Sequence, residues 1–177
     1  MSGEIYSKAY IARCHRTLKE WGAPLDGWFI FNTYDCREEA DELFTCELCG
    51  CTQVRIVHVM HNHHYFERIS VGCICAGIME GDILAAKERE RLVRNRAKRR
   101  KNYLKRIWDH TPHGVSFLRY RGEVLKIYES HVHPGYLTAS LGDTTTSHHK
   151  GKPITNFLMA VHAAFDLIDP IEEIWNA

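Results

Sequence analysis

The sequence contains no apolar run near the roughly 20 residues that a bilayer-spanning helix needs. It also lacks a Gly-rich phosphate loop, a Ser-His-Asp order and a pair of carboxylates at catalytic spacing. These absences set aside a membrane-spanning helix, the P-loop and dinucleotide-binding classes, and the familiar nucleophile and carboxylate-dyad enzymes. No internal repeat and no low-complexity segment is present, so neither a solenoid nor a disordered tail is expected. The first residues, Met1-Ser2-Gly3-Glu4-Ile5, carry neither a basic n-region nor an apolar h-region. The expectation from this is a cytoplasmic protein with reduced thiols and no membrane partner.

What is present is ordinary in bulk and uneven in placement. Hydrophobic residues make up 45% and charged residues 25% of the 177 positions, the balance of a folded domain. The net charge of +1 hides a segregation. Residues 82–109 hold eleven Lys and Arg against four Asp and Glu, a net +7, whereas the rest of the chain is −6. The seven cysteines are also clustered, with five between Thr45 and Asp82 alongside His58, His61, His63 and His64. An odd count, grouped and without an export signal, favours metal ligands over a disulfide framework.

Element signals divide the chain into three. Tyr6, Tyr10, Cys14, Leu18 and Trp21 recur at helical spacing over residues 4–21, with Gly22 and Pro24 as the stop. On that stripe Cys14 reads as a small buried hydrophobe. Trp28 to Phe31 reads as a short strand or buried connector. Val54 to Met60 and Tyr65 to Val71 read as two strands of a hairpin turning at Asn62-His63-His64. Asp82 is a good N-cap for a long basic helix reaching about Trp108, with Ala86, Val93, Ala97, Leu104 and Trp108 as a narrow apolar seam. Beyond Pro112, a hairpin around Arg121-Gly122, a third strand over 136–140, a polar loop over 142–152 and a helix over 155–168 are expected. The fold class is thus α+β. It comprises an N-terminal helix with a zinc-knuckle hairpin module (1–81), a basic helix (82–109), and a three-stranded antiparallel sheet with a C-terminal helix (110–177).

The chemistry lies in the cysteine window. Cys46-Glu47-Leu48-Cys49-Gly50 is a Cys-x-x-Cys-Gly knuckle, a tight turn that aims two sulfurs at one point. Cys73-Ile74-Cys75, flanked by Gly72 and Gly77, supplies a second pair at a less common spacing. The expected site is Zn2+ held by Cys46, Cys49, Cys73 and Cys75, with His58, His61 or Cys51 as replacements for one of the second pair. His131 and His133, two apart, could form another site or stand exposed before Pro134-Gly135.

The strings Phe44 to Gly50, Val57-His58-Val59-Met60-His61 and Val71 to Gly77, followed by a basic helix, resemble a group of small bacterial and phage-type proteins. That group shares a Cys-x-x-Cys-Gly and Gly-Cys-x-Cys-Ala signature. The resemblance covers residues 44 to about 108 and implies a metal-binding module without implying an activity.

The expected function is that of a zinc-stabilised nucleic-acid-binding or accessory protein without catalysis of its own. Phosphate contacts fall to Arg91, Arg94, Arg96, Lys98, Arg99, Arg100, Lys101 and Lys105, since arginine forks suit bidentate phosphate recognition. One alternative is a subunit that docks on an acidic protein partner, or an intramolecular role in which the helix neutralises the chain's own acidic remainder. Another is a ββα-metal nuclease, disfavoured because the helix after Cys75 lacks the Asn or His ligand of such sites.

Overall fold

The computed structural model describes residues 6–38 and 40–176. The chain is mixed α/β with antiparallel sheets and falls into two compact units, residues 1–97 with 172–177, and residues 98–171. The start of the expected first helix, residues 4–5, lies outside the described residues.

In the first unit, helix α1 (Lys8–Glu20) starts from Ser7, whose hydroxyl accepts a hydrogen bond from the Tyr10 N–H at 3.2 Å. Its inward stripe buries Cys14 and Leu18 at 1% and 0% exposure. Strands β1 (Phe29–Asp35), β2 (Ile56–Asn62) and β3 (Tyr65–Val71) form an antiparallel sheet with β2 in the centre. The hairpin between β2 and β3 turns at His63-His64 as its pattern predicts. Asn62 fastens the turn, because its carbonyl accepts from the His64 N–H at 2.9 Å while its amide donates to the Asp26 carbonyl at 2.8 Å. As the middle strand, β2 is covered on both faces, which is why its pattern alternates only loosely.

Helix α2 (Cys73–Glu80) follows β3 directly and packs on β1, β2 and α1. It stops at Gly81, whose left-handed φ of 77° lets the chain turn sharply into α3 (Ile83–Tyr103). The corner depends on Gly77, where a Cβ would lie 2.5 Å from the Ile83 backbone. Asp82 caps α3 as expected, accepting from the Ala85 N–H at 2.9 Å. The helix ends at Tyr103, short of the expected Trp108. Leu104 is 40% exposed and does not continue the buried seam. Tyr103 is fully buried instead, donating its hydroxyl to the Val161 carbonyl at 2.7 Å. α3 belongs to the first unit as far as Ala97 and to the second from Lys98.

The second unit differs from the expected three strands. Its main sheet has five: β4 (Asp109–His110), β5 (Ser116–Tyr120), β6 (Glu123–Glu129), β7 (Leu137–Leu141) and β8 (Thr144–Thr146), in that order. The expected polar loop holds β8 and a ribbon of β9 (His148–His149) and β10 (Lys152–Pro153). β5 and β6 turn at Arg121-Gly122, both with positive φ (53° and 81°), the geometry of a tight hairpin. Helix α4 (Phe157–Ile168) is capped by Asn156 and lies on β6 and β7, burying Ala160, Ala164 and Phe165 against Leu125, Ile127 and Ala139. The last element, α5 (Glu172–Trp175), returns to the first unit, where the Trp175 indole donates to the Thr33 carbonyl of β1 at 3.1 Å.

Candidate metal centres

The knuckle loop is pinned at its base by backbone pairing between Phe44 and Val54. Within it the Cys46 N–H donates to the Cys51 carbonyl at 2.8 Å and the Gly50 N–H to the Cys46 carbonyl at 2.9 Å, with Gly50 at a φ of +74°. The Glu47 N–H donates to the Ser70 carbonyl at 3.0 Å, and the Ser70 N–H donates to the Glu47 carboxylate, so the loop is stitched to β3. These bonds place the Cys46 and Cys49 thiols beside the start of α2, where Cys75 meets them. The Sγ atoms of Cys46, Cys49 and Cys75 all lie within 4.8 Å of one another.

A fourth thiol borders this group. Cys14, from the apolar stripe of α1, puts its Sγ 4.0 Å from that of Cys75. Tetrahedral thiolate ligation of zinc requires sulfurs about 3.8 Å apart. One turn earlier on α1, the Tyr10 hydroxyl lies 3.2 Å from the same sulfur. Cys14 is buried, as its reading as a small buried hydrophobe expects, and nothing in its sequence neighbourhood marks a ligand. The one available signal was its place on the inward stripe of α1.

The electrostatics are those of crowded thiols sharing protons. Hydrogen bonding from Cys75 holds the Cys46 thiol down to about 5 despite burial, helped by the Cys49 and Gly72 N–H groups. The Gly72 N–H lies 3.4 Å from the Cys46 sulfur. Cys14 is lowered for the same reason, by its bond with Cys75. Cys75 is raised by its bonds to Cys14 and Cys46, so it retains the proton those two give up. Desolvation raises Tyr10, which keeps its phenol neutral. A divalent cation held by Cys46, Cys49 and Cys75 would replace the shared protons.

No family model, curated protein or solved structure matches the chain.

Cys73 points elsewhere. Its Sγ groups with a nitrogen of His58 on β2 and a carboxylate oxygen of Glu90 on α3, again all within 4.8 Å. Cys73 and Cys75 thus sit two residues apart at the start of α2 and serve different groups. Glu90 carried no signal in the sequence, being one acid in a basic helix. Cys51 is exposed. His61 and His63 lie against Phe29, with ring centroids 5.2 and 4.9 Å away. His131 stacks on Tyr128 at 5.8 Å, and His133 lies 5.5 Å from Tyr136. Among the described residues, none of these histidines enters a cluster of three ligand atoms.

The basic candidates on α3 and just beyond it divide in two. Arg91 pairs with Glu88 at 2.6 Å, Arg94 with Glu90 at 2.8 Å and Arg96 with Glu38 at 3.7 Å. Arg99 meets Asp169 at 2.6 Å, and Arg100 meets the His162 ring at 2.8 Å. Arg89, outside the candidate set, is tied to Glu80. Arg96 and Arg100 are 3% and 7% exposed, so their guanidiniums face the chain and not solvent. Lys98, Lys101 and Lys105 are exposed. Among the described residues, no helix is long and apolar enough to cross a membrane.

Proposed function

We propose that the protein binds zinc through Cys46, Cys49 and Cys75 with Cys14 as fourth ligand, and that it uses the folded chain to present cations to nucleic acid. The observation that carries the metal assignment is the convergence of three buried or half-buried thiols within 4.8 Å, with a fourth 4.0 Å from one of them. Four thiolates form a closed, zinc-selective set of the structural kind. This one joins α1, the knuckle loop and the start of α2, and so sets the corner from which α3 departs. Cys14 takes the fourth position, which the spacing of the cysteine pairs assigns to Cys73.

Nucleic-acid binding is supported by the run 91–108, which holds no carboxylate and exposes Lys98, Lys101, Lys105 and Arg106. The contact set is therefore narrower than the eight residues the sequence suggests, since five of those engage groups of the chain itself. Each phosphate neutralised contributes about 0.9 to the logarithmic salt slope, so four contacts give a slope near 3.6 and eight a slope near 7. Duplex and single-stranded DNA and RNA titrated at two salt concentrations test this directly. Absence of binding at low salt in zinc-replete protein would overturn it, and capture of one acidic protein would assign the cations to a protein partner.

A further inference from the structure

His58 lies on the central strand of the first unit and is 0% exposed, yet neither ring nitrogen has a hydrogen-bond partner among the described residues. A buried imidazole left in this way is costly, because both nitrogens lose water without a hydrogen bond in exchange. The nearest ionic group is Glu90, with its carboxylate oxygen 3.8 Å from Nε2, too long for a hydrogen bond and of the length that a shared cation would bridge. The Cys73 sulfur completes a triangle with them inside 4.8 Å. Ideal zinc ligation by one imidazole, one thiolate and one carboxylate sets those atoms roughly 3.3 to 3.7 Å apart, a contraction of only tenths of an ångström to about one.

We propose that His58, Cys73 and Glu90 form a second metal site, distinct from the cysteine cluster, which binds a zinc-like divalent ion and leaves its fourth position to water or a small anion. The ligands come from β2, the first residue of α2 and the second turn of α3, three elements whose mutual placement is fixed by the Gly72, Gly77 and Gly81 corners. Three mixed ligands differ from a closed tetrathiolate set in leaving one coordination position to an exogenous group.

Space for that group is present. A cavity of about 190 Å³ is lined by Cys73, Glu90 and Arg94 together with Cys46, Cys49 and Cys75. A second, more open depression is bordered by Cys73, Glu90, Lys87, Arg91 and Arg94. Arg91 and Arg94 are held by Glu88 and Glu90, so Lys87 is the cation at this mouth that would favour an anion over a neutral molecule as the exogenous ligand.

Cobalt titration of the full chain, with azide as the anion probe, tests the site. The expected result is two equivalents of Co2+ bound, one with the intense thiolate charge-transfer of the cysteine cluster and one of mixed-ligand character. Glu90→Gln, which keeps the side chain's size and removes its charge, removes the mixed-ligand equivalent and leaves the other. Cys73→Ser repeats the loss by a second route. Azide shifts only the bands that Glu90→Gln abolishes.

A single equivalent that Cys49→Ser abolishes and Glu90→Gln leaves intact would overturn this site while sparing the cysteine cluster. A single equivalent lost in Glu90→Gln and kept in Cys49→Ser would sustain it and overturn the cluster. Two equivalents with no azide response would refute the open position.

Discussion

The sulfurs of Cys14 and Cys75 lie 4.0 Å apart although 61 residues separate them in the chain. One stands in the middle of α1 and the other at the start of α2, so their approach joins the N-terminal helix to the knuckle. Cys14→Ser is therefore expected to weaken zinc binding about 100-fold or more, one ligand's share of the roughly 10–16 kcal/mol available to a structural zinc site. Competition with a chromogenic chelator measures this. Cys51→Ser, at an exposed thiol, should leave the affinity unchanged.

Cys73→Ser separates the two ligand sets. In a Glu90→Gln background, where only the cysteine cluster holds Co2+, its thiolate-to-cobalt charge-transfer should persist at full intensity on Cys73→Ser, because Cys73 groups with His58 and Glu90. A loss of about a quarter of that intensity would restore Cys73 to the cluster.

Gly77→Ala should destabilise the protein by about 2 kcal/mol, although alanine usually favours a helix by about 1 kcal/mol over glycine. The new methyl group would meet the Ile83 backbone at 2.5 Å and force the α2–α3 corner open. Urea unfolding of the zinc-loaded protein gives the number, and zinc affinity should fall with it, since the corner orients Cys73 and Cys75.

His162 sets an acid dependence for the second unit. Burial, reinforced by the neighbouring Arg100 guanidinium, holds its imidazole down to about 4 from the usual 6.5. The unfolded chain then takes up a proton that the folded chain refuses. Stability is accordingly full above about pH 6.5 and declines as the pH falls toward 4. Thermal unfolding followed between pH 7 and 4 should show the midpoint dropping through that window, and His162→Gln should flatten the drop.

Much of this architecture is legible in the residues. The hairpin at His63-His64, the Asp82 cap, the tight turn at Arg121-Gly122 and the helix expected over 155–168, which Asn156 and not Thr155 caps, each rest on a local rule that the folded chain obeys. The five-stranded sheet was hidden because its extra strands are two and three residues long, too short for a period-2 pattern, although Thr144-Thr145-Thr146 is a β-forming triplet. The sequence pattern carries α3 beyond its true end, because the spacing of Leu104 and Trp108 continues the seam while burial passes to Tyr103.

The cysteine window was readable for the same reason that the ligand partition was not. Knuckle spacing is local, and Cys46 and Cys49 declare themselves. Which of Cys73 and Cys75 joins them depends on the helical twist of α2, and the partners they find, Cys14 and Glu90, are contributed by elements remote in sequence. The charge on α3 was plain, but the carboxylates that meet it are partly remote, at Glu38 for Arg96 and Asp169 for Arg99.

The most direct measurement is amide hydrogen exchange before and after stoichiometric metal removal from the purified protein. Residues 44–80 should be protected with zinc bound and should lose that protection when a chelator withdraws it, with Cys49→Ser reproducing the metal-free pattern. Protection over 44–80 that is unchanged after removal, or a purified protein that carries no metal and cannot be loaded with it, would contradict a zinc-held corner.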